Sequence, residues 1–161
     1  MNKTYYEQIG TSEQLKTDME NVYNIYFKDK TVDRNHLTEQ FSKSKYILGI
    51  NPYTSLNVIV NSYNLSYILK EHGNQMPKED FLSLTKILNY TFLYKNSGKT
   101  NLENEGFRYY KKASDGKHWL EAATKYDEEE TLIHFLRMRK SSFISKTKKI
   151  ADLFIDERKN P

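Results

Sequence analysis

The chain has 161 residues, with 25 Lys+Arg against 21 Asp+Glu, a formal net charge of +4 and an isoelectric point of about 9.0. It has no Cys, which excludes a disulfide scaffold, a thiolate-held zinc or iron–sulfur centre and a thiol nucleophile. With 6 Gly and 3 Pro it is neither collagen-like nor linker-like, and 13 Tyr and 8 Phe supply apolar surface for a core.

Thr11-Ser12-Glu13-Gln14 reads as a capping box that opens a helix. Leu15, Met19, Val22, Tyr23 and Tyr26 then recur at helical spacing, which carries the helix to about Asp29. Asp33 is the expected cap of a second, short helix reaching Lys43, with Leu37 and Phe41 on one face. Asn51-Pro52 reads as a third helix start, and Leu56, Ile59, Val60, Tyr63, Tyr67 and Ile68 extend that helix to His72-Gly73. Pro77, Glu79 and Asp80 open a fourth, whose face of Phe81, Leu84, Leu88 and Phe92 runs to residue 95. Residues 96–106 are the best loop candidate. An aromatic run from Phe107, an Asp115-Gly116 turn and a second run at Trp119 read as a β-hairpin. The competing reading is a helix from Trp119 through Tyr126, because Glu121-Ala122-Ala123 favours one. Asp127–Glu130 and Arg137–Lys140 bracket a further helix with acids first and bases last. Ser141 or Ser142 caps the final one, with Phe143, Thr147, Ile150 and Phe154 on its stripe.

The expected fold is mainly α, with about five or six helices and one small β-hairpin near 107–120. It is a single domain, 1–161, with a basic C-terminal helical segment, 127–159. At the level of architecture this arrangement resembles a winged helix, with the hairpin as the wing. The first seven residues lack the apolar stretch of a signal peptide, and no run of 18 apolar residues occurs, so the expected location is the cytoplasm, with no membrane partner.

The charge is uneven. Residues 1–80 carry 9 basic and 10 acidic side chains, and residues 81–161 carry 16 and 11. The densest stretch is 137–149, with six bases and no acid in 13 residues and Ser and Thr between them. Lys and Arg neutralise phosphates, and hydroxyls donate to them. The candidate contacts are Arg108, Tyr110, Lys111, Lys112 and Lys117 in the hairpin, and Arg137, Arg139, Lys140, Lys146, Lys148 and Lys149 at the helix junction. Glu at Lys146, Lys148 and Lys149 is expected to abolish binding and leave the fold intact. A lysine-rich face that meets only water is the competing reading of such a run.

No catalytic constellation stands out. Ser97-Gly98-Lys99-Thr100 resembles the tail of a phosphate loop, but Leu93 stands where that loop needs its first Gly. His36, His72, His118 and His134 are spaced too far apart for a local metal signature. In the helix read over 127–140, Glu128, Glu129 and Glu130 point about 100° apart and do not converge on one ion. The expectation is a non-enzymatic nucleic-acid-binding protein, regulatory or accessory, with DNA favoured over RNA, no cofactor, no metal and room for a homodimer. The alternative is a small protein-binding inhibitor or adaptor, of the kind a phage or mobile element encodes, acting on a partner such as a nucleic-acid enzyme.

Overall fold

The computed structural model describes residues 9–95 and 106–147. The helix at Ser12–Lys28 (α1) forms as the sequence indicates. The Thr11 hydroxyl accepts from the Gln14 backbone amide at 3.2 Å, and the Gln14 side-chain oxygen accepts from the Thr11 backbone amide at 2.9 Å. Leu15, Met19, Val22, Tyr23 and Tyr26 are its buried face. Asp33 caps α2 (Arg34–Glu39), which is shorter than expected.

Mainly α is a wrong description. The described residues form one mixed sheet of six strands plus a two-residue edge strand. The strands are β1 (Ile9–Gly10), β2 (Lys45–Ile50), β3 (Asn57–Asn61), β4 (Thr91–Lys95), β5 (Gly106–Lys112), β6 (Trp119–Asp127) and β7 (Glu129–Met138), in the order β1-β2-β3-β7-β6-β5-β4. Three expected helices give way. Asn51-Pro52 is the turn of the β2–β3 hairpin, and the helix starts only at Ser62 (α3, Ser62–His72), with the Asn61 side chain as cap. Val58, Ile59 and Val60 are β-branched and buried, which favours a central strand over a helix. From Pro77 the helix lasts one turn and a half (α4, Lys78–Ser83), continues as a 3₁₀ segment over Leu84–Asn89 and gives way to β4. Residues 129–138 are the longest strand, not a helix. The hairpin expected near 107–120 exists, but as β5 and β6 within the sheet, so the winged-helix likeness falls with the helices around it.

Both faces of β5–β7 are covered. Tyr109, Leu120, Ala122, Leu132 and Phe135 belong to the main core under α1 and α3. Their strand neighbours Tyr110, Trp119 and Met138 face the other way and meet Phe143 of α5 (Lys140–Thr147). Trp119 and Phe143 stack at 3.9 Å with ring planes 1° apart. Two further details shape the sheet. β2 carries a bulge between Ile47 and Gly49, where Gly49 has φ 146, and a Cβ there would lie 2.5 Å from Leu88. β3 pairs with β7 only at Glu130 and Thr131; beyond that point the Asn64 amide on α3 donates to the Leu132 carbonyl at 3.0 Å.

Candidate nucleic-acid interface

The register of β5, β6 and β7 decides which bases come together. Lys111 pairs with Leu120 and Leu120 with Arg137; Lys112 pairs with Trp119 and Trp119 with Met138. Neighbouring strands lie about 4.8 Å apart, so Lys111 and Arg137 sit about 10 Å apart on one line across the sheet. Lys117 lies in the β5–β6 turn, and Arg139 and Lys140 follow directly after β7. The two basic stretches of sequence therefore meet at a single end of the sheet. Among the described residues, Lys111, Lys117, Arg139 and Lys140 have no carboxylate within ion-pair distance. Lys112 holds its ammonium over the Trp119 ring at 5.8 Å.

The other candidates are engaged. Arg108 and Lys146 lie 3.4 and 3.3 Å from Glu121, which is 1% exposed on β6. His134 approaches the same carboxylate at 3.5 Å, and the Tyr110 hydroxyl donates to it at 2.8 Å. Tyr110 is itself buried against Phe143, so its ring offers no face to a base. Burial opposes the charge on Glu121, but His134, Tyr110, Lys146 and Arg108 together outweigh it and hold the carboxyl at about 2. A carboxyl depressed from 4.5 contributes stability that is present above pH 4.5 and lost as the pH falls toward 2. The loss is expected to be about 3 kcal/mol, and Glu121→Gln should flatten that part of the stability–pH curve. Denaturant titrations of both proteins between pH 5 and 2 check this; superimposable curves would refute it. Lys146→Glu would set a second carboxylate against Glu121, so the triple variant at Lys146, Lys148 and Lys149 is not neutral to the fold. Lys148 and Lys149 lie outside the described residues, as does the 97–100 segment.

Arg137 is anchored at the same end. Its guanidinium bonds Asp115 at 2.6 Å and the Gln75 carbonyl at 3.3 Å, with Nε 4.0 Å from the buried Asp80. Asp115 also accepts from the His118 and Lys117 amides, which together with the His118 ring and Arg137 hold its carboxyl well below the usual range despite partial burial. Gln75, His118, Arg137 and Arg139 line a cleft of about 280 Å³ here. Arg137 is thus a fixed wall of the basic end, and Arg139 is exposed beside it.

At the opposite end of the sheet lies a group that the sequence did not reveal. Glu130 is fully buried on β7 and accepts from Thr124 at 2.7 Å, from the Asn51 amide at 2.8 Å and from the Tyr109 hydroxyl. Burial, and then the Glu130 carboxylate, push Tyr109 far above the ordinary phenol range, so it stays a donor. Asn51 Oδ1 accepts from the Tyr53 amide at 2.8 Å and so shapes the β2–β3 turn. Asn51, Tyr109 and Glu130 are each 0% exposed, which closes this cluster to a substrate and makes it a structural tie between the hairpin and β5–β7. No three His, Cys, Asp or Glu side chains converge as a metal site among the described residues. No helix among them is long and apolar enough to cross a membrane.

The chain matches no family model, no curated protein and no solved structure.

Proposed function

We propose that this is a small non-enzymatic nucleic-acid-binding protein of the cytoplasm, regulatory or accessory in role, that takes DNA in preference to RNA. It holds phosphates on the end of the sheet formed by Lys111, Lys112, Lys117, Arg139 and Lys140. The observation that carries this reading is that four of these cations, drawn from two distant stretches of sequence, share one end of the sheet with no carboxylate partner among the described residues. Cations without a carboxylate partner are the groups whose counterion release drives binding to a polyanion. Arg108, Arg137 and Lys146 act instead as struts that keep the β-strands and α5 in register around Glu121 and Asp115.

Mobility-shift titrations with one DNA duplex and its RNA counterpart test the reading. Lys111→Glu/Lys117→Glu/Arg139→Glu is expected to weaken DNA binding by at least about a hundredfold, since each lost phosphate contact removes salt-dependent affinity. These side chains are exposed, so the thermal midpoint should stay close to wild type. Unchanged affinity in the triple variant would overturn the assignment.

One observation favours the second reading, a protein-binding inhibitor or adaptor. Tyr63 and Tyr67 are about half exposed on α3, with the Arg34 guanidinium 3.5 and 4.8 Å from their ring centres. Tyr and Arg together are the commonest anchors of protein interfaces.

A further inference from the structure

At the corner where the 3₁₀ segment Leu84–Asn89 enters β4, a pocket of about 200 Å³ opens beside the end of β5. Lys86, Asn89, Tyr90, Lys111, Lys112 and Trp119 line it, over the buried ring of Tyr110. The ammonium groups arrive from two segments and are set by aromatic walls. Lys111 Nζ stands 5.8 Å from the Tyr90 ring centre and Lys112 Nζ 5.8 Å from that of Trp119, within the range of a cation–π contact. The walls are rigid: Tyr90 is tied through its hydroxyl to Ser83 at 2.5 Å, and Trp119 is stacked on Phe143. Lys86 and Lys111 have no carboxylate partner among the described residues. The indole N–H of Trp119 is buried with no acceptor among the described residues.

We propose that this corner pocket is a phosphate-monoester site, held by Lys86 and Lys111 with Lys112 and Asn89, and that it takes a terminal phosphate. The chemistry follows from charge and shape. A monoester carries close to two negative charges and three free oxygens, which suits several lysines converging on one small concavity. An internal phosphodiester carries one charge and is flanked on both sides by sugar, so it meets the open face of the sheet end and not this recess. The monoester comes either from the end of a nucleic-acid strand or from a free nucleotide. The first source rests on the nucleic-acid reading above; the second does not.

Trp119 is the single tryptophan of the chain, so its emission reports on the pocket directly. Inorganic phosphate and a nucleoside monophosphate are titrated against it, with acetate at matched ionic strength as control. Saturable changes with both phosphates and none with acetate are expected, and Lys86→Glu should abolish them. In parallel, 5′-phosphorylated, 3′-phosphorylated and unphosphorylated versions of one oligonucleotide are compared. At least one phosphorylated end should bind about tenfold tighter than the unphosphorylated strand, in line with added charge-assisted contacts. Lys86→Glu should erase that margin and leave the unphosphorylated strand within about twofold of wild type. A response to the monophosphate with no binding of any oligonucleotide supports the pocket with a free nucleotide as its ligand and overturns the nucleic-acid reading. Salt-dependent binding that is indifferent to the end group, with Trp119 silent to phosphate, overturns the pocket and leaves that reading standing.

Discussion

Replacing Glu130 by alanine is expected to lower the thermal midpoint by about 6–15 °C. The truncation leaves the Asn51 amide, the Tyr109 hydroxyl and the Thr124 hydroxyl without their shared acceptor at a site that water does not reach. Each bond lost to this buried acceptor costs about 1–3 kcal/mol, less than additively because Asn51 still reaches the Tyr109 hydroxyl and Thr124 the Phe107 carbonyl, and a total near 3–4 kcal/mol converts at about 2–4 °C per kcal/mol in a domain of this size. Tyr109→Phe keeps the ring and removes one donor, so it should cost only about 1–2 kcal/mol. Calorimetry or thermal circular dichroism measures both. Because the cluster lies at the far end of the sheet from the basic residues, DNA affinity below the midpoint should be unchanged in either variant. A Glu130→Ala midpoint within about 2 °C of wild type would show that the cluster does not tie the β2–β3 hairpin to the sheet.

The second large effect belongs to Phe143→Ala. Phe143 is fully buried between Trp119 and Tyr110 and is the main anchor of α5 on the outer face of the sheet. Loss of a buried phenylalanine costs about 3–5 kcal/mol, to which a stacked aromatic pair adds. Here the loss is capped by the docking energy of an eight-residue helix, because once that is spent α5 detaches while the seven strands stay paired. The signature is therefore local. Trp119 loses its stacking partner and Glu121 loses Lys146 as the helix leaves. Tryptophan emission should shift to the red under native conditions, and amide exchange should accelerate over residues 140–147 while β6 and β7 keep their protection. Unshifted emission would mean that α5 is not held by this stack.

What could be read in the sequence was local. The capping box at Thr11 and Gln14, the 3.6-residue spacing behind it and the Asp33 cap depend on residues a few positions apart, and each is found as expected. The sheet was not legible because its evidence is non-local. Val58-Ile59-Val60 is too short a run to separate from the helical pattern that follows it. In 129–138, acids before bases with Leu132, Phe135 and Leu136 between them fit a helix by charge and by spacing. Pairing with β6 on one side and with β3 at its start on the other decides for a strand. The tight β6–β7 turn, with Glu128 at φ 54, then aims Glu130 inward, where the same glutamate on a helix would have faced water. The site divides in the same way. Its bases were legible as composition. Which of them are engaged was not, because Arg108 and Lys146 meet only through Glu121, a residue that the sequence offers as a helix former. Tyr110 shows the limit most plainly, since its place among basic residues suggested an exposed ring and the strand alternation buries it.

The salt dependence of DNA binding tests whether this end of the sheet is the nucleic-acid interface. The five cations at one end of the sheet, Lys111, Lys112, Lys117, Arg139 and Lys140, should release counterions from about five phosphates, so log K should fall against log salt with a slope of about −4.5. Neutralising Lys111, Lys117 and Arg139 to Gln should bring that slope to about −2, about one unit for each cation removed. A wild-type slope near zero, or one that the three substitutions leave unchanged, would contradict the assignment of this end of the sheet as the nucleic-acid interface.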